Sequence, residues 1–250
     1  MPAHHSAWGL LAALAGLSCL AVAGCAAGTT AAVTAGGQPA SPGPSGAPGA
    51  SQATPAIAST VIPAQLGDTW VYAVDSSVLG KGTETARISA VTPVAGGQRA
   101  TLLTSLRLAG ANRPFRFASH FIASADGSVR FVSTSFMGAK LASANVNWPG
   151  PGTLTPGRPH TSTMTGSFLG FKTAEHVTVT EVGPAAVTVP AGSYQATLLE
   201  QTSTDGAGGR SVVKSWVVNG IGQVKTVTTV IVKGVRQVSS VQTLTSFTKG

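Results

Sequence analysis

The chain has 250 residues, 10% of them charged and 6% aromatic, and Lys plus Arg exceed Asp plus Glu by sixteen to eight for a formal net charge of +8. Its only cysteines are Cys19 and Cys25, which excludes a structural disulfide once the leader carrying Cys19 is removed. The first charged side chain is Asp68, so the positive balance falls on the later part of the chain, where it serves solubility or favours anionic lipid headgroups or wall polymers.

Residues 7–24 form an apolar run rich in Leu and Ala, ending in Val22-Ala23-Gly24-Cys25. This ending resembles the bacterial lipobox: an aliphatic residue, two small residues that let a peptidase close on extended backbone, then cysteine. The resemblance implies diacylglyceryl on the Cys25 thiol, cleavage before Cys25, a fatty-acyl (palmitate-type) anchor and an address on the extracytoplasmic face of the cell membrane. Lipidation would also remove a lone thiol that is a liability in an oxidising compartment. One feature departs from the pattern. Residues 1–6 offer only His4, His5 and the terminal amine in place of Lys or Arg, which questions the translation start. The alternative is an uncleaved anchor, although about eighteen residues are marginal for a ~30 Å hydrocarbon core. The expected division is a signal over residues 1–24, a lipidated linker over 25–59 and an extracytoplasmic β domain over 60–250.

Apart from Cys25, Val33 and Ile57, the linker is Ala, Gly, Pro, Ser, Thr and Gln, with too little apolar surface to offset ordering entropy. As a coil of some 35 residues it reaches roughly 30–35 Å. Its Thr, Ser and Pro also suit O-glycosylation.

From Leu66 onward, short runs of Val, Thr, Ile and aromatics alternate with Gly, Pro, Asp and Asn, and no window of helical length carries a 3.6-residue apolar stripe. Strands are predicted over 69–75, 84–91, 99–108, 115–125, 128–136, 176–182, 186–189, 194–203, 211–218, 223–233 and 235–247. Residues 137–166 are the stretch with the weakest strand pattern, and within them 145–152 read as a long loop. The Asp126-Gly127 pair suits a type I′ hairpin, setting Phe117 against Phe136 and Phe121 against Val132 on one face, and His120 against Ser133 and Ile122 against Phe131 on the other. A hairpin symmetric about Ala207 sets Glu200 opposite Lys214, Leu198 opposite Trp216 and Ala196 opposite Val218. A third follows at Lys233-Gly234. The repeated Ala-Thr-Leu-Leu at 100–103 and 196–199 raises the idea of two related halves. The expected fold is mainly β, an antiparallel meander forming an open or half barrel, with a two-sheet sandwich as the alternative.

Gly67-Asp68-Thr69-Trp70-Val71-Tyr72, Val189-Pro190-Ala191-Gly192-Ser193-Tyr194, and Trp216 with Asn219-Gly220-Ile221-Gly222-Gln223-Val224-Lys225 resemble an uncharacterised group of secreted bacterial β domains. That group carries G-x-x-W-x-Y, V-P-A-G-[ST]-[FY] and W-x-x-x-G-[IV]-G-x-V-K, so the likeness implies fold and compartment but no activity. A more distant likeness is to half-barrel lipid or lipoprotein carriers, whose internal helices have no counterpart in this sequence.

Residue supply argues against catalysis. After the leader there are three histidines, His120, His160 and His176, without a paired spacing, a cysteine pair or a nearby carboxylate cluster, so neither metal nor cofactor is expected. Ser211 with Lys214 and Ser246 with Lys249 match S-x-x-K, a spacing that works on a helix and points to opposite faces on a strand. Basic residues from Arg87 to Arg236 are scattered rather than striped beside aromatics, so nucleic acid is not an expected partner.

The reading is therefore a non-enzymatic envelope protein, held to the membrane through the lipid on Cys25, that binds an apolar small molecule or an anionic envelope polymer. A structural or adhesive module and, less favoured, a hydrolase are the alternatives; the sequence leaves oligomeric state open. Trp70 and Tyr72 share a strand face and are expected in the core. Phe117, Phe121, Phe131 and Phe136 form the candidate apolar ligand face, because aromatics beyond those needed for one packed face must be covered by a second sheet, a helix or a ligand.

Overall fold

The computed structural model describes residues 64–125, 128–136, 139–148, 154–168, 171–205, 209–232 and 235–250. The expected signal, Cys25 and linker lie outside them, as do Asp126-Gly127 and Lys233-Gly234. Twelve strands follow in order: β1 (Thr69–Ser76), β2 (Gly80–Val94), β3 (Gly97–Leu108), β4 (Phe115–Ser124), β5 (Val129–Phe136), β6 (Ala139–Trp148), β7 (His160–Phe168), β8 (Phe171–Val189), β9 (Gly192–Asp205), β10 (Gly209–Val218), β11 (Gly222–Val232) and β12 (Val235–Thr248).

Every strand pairs antiparallel with its sequence neighbours, which gives the expected meander in one continuous sheet rather than two. The sheet also goes further than the open or half barrel expected. β1 pairs with both β2 and β12, so the hydrogen-bonded order runs around a closed barrel. Closure satisfies both edges of the sheet within the chain. Its thinnest ladder is β6–β7, where Ala142 to Asn145 pair with Phe168 to Thr165. Residues 64–250 thus hold all the strands of the ring.

Three expectations need correction. The expected loop at 145–152 begins inside β6, and the weak stretch 137–166 around it contains β6 and most of β7, because pairing to β5 and β8 overrides the weak strand propensity of Ala, Ser and Asn. The strands expected at 176–182 and 186–189 are one strand, β8. A bulge between Glu181 and Gly183, with Gly183 at φ +127°, absorbs the irregularity that reads as a break. In the β4–β5 hairpin, Phe117↔Phe136 and His120↔Ser133 are as expected, but a bulge beyond His120 pairs Phe121 with Phe131 and Ile122 with Arg130. The bulge turns Phe131 inward beside Phe121, and both are buried.

The β9–β10 register is as read: Lys214↔Glu200 and Trp216↔Leu198, with the ladder ending at Val217↔Thr197, just before Ala196 would meet Val218. Val232 pairs with Val235 around the third hairpin. The Ala-Thr-Leu-Leu repeat does not mark equivalent positions. Leu102 points inward and Leu103 outward on β3, whereas on β9 Leu199 is buried and Leu198 half-buried.

The interior is layered. One end holds an apolar cluster that includes Trp70, Ile88, Leu102, Phe121, Phe131, Leu199, Val224 and Leu244, with Leu154 from the β6–β7 connection buried among them. Full burial of a Leu or Phe is worth roughly 1.5–3 kcal/mol, so this cluster, more than strand propensity, fixes which face turns inward. Hairpin turns close that end: the Ala191 N–H of the β8–β9 turn donates to the Leu244 carbonyl at 3.0 Å, and Ile221 of the β10–β11 turn packs on the same cluster. A small second cluster at the opposite end comprises Val74 and Leu106 with partly buried Leu79, Leu108 and Phe115.

Candidate functional site

β4 and β5 place the four candidate phenylalanines. Phe121, Phe131 and Phe117 are 0%, 3% and 4% exposed, covered by the barrel's own side chains. Phe136 is half-buried near the end of β5, its ring 5.0 Å from Phe117 and 6.2 Å from half-buried Phe115. The structure therefore brings two of the four, Phe117 and Phe136, to an aromatic mouth completed by Phe115, and places the other two in the packed core. Phe115 was absent from the candidate set although it alternates in phase with Phe117.

Polar side chains on the inner face lie between this mouth and the apolar cluster. Glu84 of β2 is 1% exposed and accepts a 2.9 Å hydrogen bond on Oε2 from the Gln242 amide of β12. Ser119 and Thr134 hydroxyls lie 3.0 Å apart, and the Gln223 amide donates to the Ser215 hydroxyl at 3.2 Å. The Thr104 and Ser240 hydroxyls are buried without a hydrogen-bond partner. Burial pushes the Glu84 carboxyl up to about 8, against the smaller opposing pull of the Gln242 amide. Burial also raises the Tyr72 phenol, with the nearby Glu84 carboxylate adding to the shift. At neutral pH Glu84 is consequently a protonated, neutral acid, able to donate as well as accept. Period-two alternation could have found it, since Glu84, Ala86 and Ile88 share one strand face.

A second inward carboxyl, Glu181, sits at the β8 bulge, 4% exposed, with Oε2 unpartnered and its acidity lowered by burial. The Gly157 N–H donates to its backbone carbonyl at 2.8 Å, pinning the β6–β7 connection there.

Among the described residues, neither S-x-x-K pair nor histidine candidate is seen assembled as a nucleophile with its base. On β10, Ser211 is 2.8 Å from the Ser203 hydroxyl, while Lys214 faces out and pairs with Glu200 at 3.4 Å, so S-x-x-K is split across the wall as a strand dictates. His120 Nδ1 lies 3.1 Å from the Thr101 hydroxyl and His176 Nδ1 3.5 Å from that of Thr163. Among the described residues no group of three His, Cys, Asp or Glu could hold a metal ion.

The three segments around Trp70, Tyr194 and Trp216 that the sequence singles out meet in space, and their role is structural. The Trp70 indole N–H donates to the Ile221 carbonyl at 2.6 Å, and the Tyr72 hydroxyl to the Gln223 carbonyl at 2.9 Å. The Tyr194 hydroxyl closes on the Ala191 carbonyl at 3.2 Å. Asp68, fully buried, accepts from the Gly250 N–H at 2.9 Å and from the Gln65 N–H at 3.3 Å. Trp70 and Tyr72 are core, as expected.

No protein-family model matches the chain, and no curated protein matches it. Two crystal structures share the fold. One is a "putative lipoprotein" from Parabacteroides distasonis, 11% identical with a TM-score of 0.53 over 76% of this chain and 99% of that one. The other is a "putative exported protein with YmcC-like fold" from Bacteroides fragilis, 15% identical with a TM-score of 0.50 over 77% and 100%. At these identities the likeness is one of architecture.

Proposed function

We propose that this protein is an exported envelope lipoprotein, tethered through lipid on Cys25 at the extracytoplasmic face of the membrane, whose barrel binds an apolar ligand without covalent chemistry. The observation that carries the binding half is the aromatic mouth of Phe115, Phe117 and Phe136 above inward polar groups that include two unpartnered buried hydroxyls. Half-buried aromatics give an acyl or ring system a contact surface, and unpartnered hydroxyls with the neutral Glu84 acid offer a polar head group its hydrogen bonds. The lipobox-like Val22-Ala23-Gly24-Cys25 behind an apolar run supports the address.

The test is mass spectrometry of an organic extract from the barrel, residues 60–250, purified from a native-like envelope. A stoichiometric lipid is expected, with retention reduced in a Phe115→Ala/Phe136→Ala variant that still folds. Clean protein whose thermal stability is unchanged by envelope lipids would end the reading.

A further inference from the structure

Between Gly80 and Phe136 the sequence places seven cations, Lys81, Arg87, Arg99, Arg107, Arg113, Arg116 and Arg130, against two acids, Glu84 and Asp126. Read along the sequence they look scattered; the barrel gathers them. The inner face of β2 to β4 takes the even positions of β2 and β3 and the odd positions of β4, so Lys81, Arg87, Arg99, Arg107 and Arg116 all project outward. Arg130 does the same from β5 and Arg113 from the β3–β4 loop, and all seven are exposed. Glu84 is on the inner face and buried, so it does not offset them. Among the described residues, Asp75 of β1, opposite Lys81, is the acid register-paired to this wall, which leaves six arginines without a register-paired carboxylate across β2 to β5.

The pattern is a field, with apolar side chains set inside it. Arg87 pairs with Leu103, which is 47% exposed, and Leu103 lies on the outer face of β3 between Arg99 and Arg107. Ile122 stands between Arg99 and Arg130 in one cross-strand row. With strands spaced about 4.8 Å apart, those two guanidinium groups are anchored roughly 10 Å from each other across it. Guanidinium groups match phosphate oxygens bidentately, and a few apolar side chains among them suit insertion between head groups.

We propose that this outer wall, β2 to β5, docks on an anionic phospholipid surface. The fit to lipid over a soluble polyanion comes from Leu103 and Ile122, which a hydrated polymer would leave in water. The inference rests on the lipid-anchored reading only for bringing a bilayer within reach of the tether. Docking would lay the barrel with one wall to the membrane and hold its aromatic mouth near the lipid surface.

The experiment is co-sedimentation of the barrel, residues 60–250, with vesicles of phosphatidylcholine alone or with a third phosphatidylglycerol. It omits Cys25, so its failure is separable from failure of the anchor. Binding is expected only to the anionic vesicles, falling steeply as salt rises. It should weaken at least tenfold in Arg99→Ala/Arg107→Ala/Arg116→Ala, whose side chains leave the core untouched, and measurably in Leu103→Ser. A control variant, Arg210→Ala/Lys214→Ala, removes two cations of β10, on the far side of the ring from this wall, and should bind as the parent does. Equal binding to both vesicle types, equal loss in the control, or binding to a soluble glycerol-phosphate polymer with none to vesicles would each overturn the proposal.

Discussion

The Tyr72 hydroxyl donates to the Gln223 carbonyl across 151 residues of sequence, and the Trp70 indole two residues earlier does the same to Ile221. Both bonds leave β1, pass inside β12 and end where β10 turns into β11, so they bolt the first strand to a late hairpin through the interior. Tyr72→Phe keeps the ring and removes the bond. We expect a loss of about 1–2 kcal/mol, read as a lower urea midpoint at unchanged slope.

Glu84 makes stability depend on pH in the direction opposite to a salt-bridged carboxylate. Its folded value is raised from 4.5 to about 8, so the folded chain keeps a proton that the unfolded chain has released. Stability from this group is full below about pH 4.5, declines as pH rises towards 8, and is flat above it. Glu84→Gln, which preserves a polar contact to Gln242, should remove that slope and raise stability at pH 8. Parallel stability curves for parent and variant across this range would contradict the assignment.

Trp216 and Phe121 should separate wall from core. Trp216 is half-buried on the outer face opposite Leu198, with the Lys225 ammonium 5.0 Å over its ring. Its change to Ala should cost about 1–2 kcal/mol, mostly lost packing and cation–π contact. Phe121→Ala, at a fully buried position, should cost about 3–5 kcal/mol. Chemical denaturation of both gives the comparison, and equal losses would contradict the placement.

The Glu200–Lys214 pair confirms a register that was readable in advance, yet it should contribute little. Both side chains are substantially exposed, so Lys214→Ala is expected to shift stability by less than about 1 kcal/mol. A larger loss would mean that the hairpin depends on this contact.

Much of the barrel was legible because alternation and turn chemistry are local. Glu200 opposite Lys214 follows from counting outward from a glycine-rich loop, and Trp70 with Tyr72 in the core follows from strand period. The bulges were not legible: residues between His120 and Phe131, or around Glu181 and Gly183, carry no local mark telling which one is skipped, since interior packing decides. β6 was hidden for the same reason, its Ala, Ser and Asn owing their conformation to β5 and β7. Ring closure depends on β1 meeting β12, whose residues Thr248 and Ser240 pair with Thr69 and Ser76 from the far end of the barrel's sequence. The arginine wall stayed invisible until adjacent strands put Arg87, Arg99, Arg116 and Arg130 on one outer face.

The intact mass of the protein extracted from the membrane fraction tests the proposal that a lipid on Cys25 holds the barrel at the extracytoplasmic face. A chain beginning at Cys25 and carrying diacylglyceryl is expected, with Cys25→Ser left as an unlipidated precursor. A membrane-bound protein that retains residues 1–24 with an unmodified Cys25, or the same membrane attachment in the Cys25→Ser variant, would contradict it.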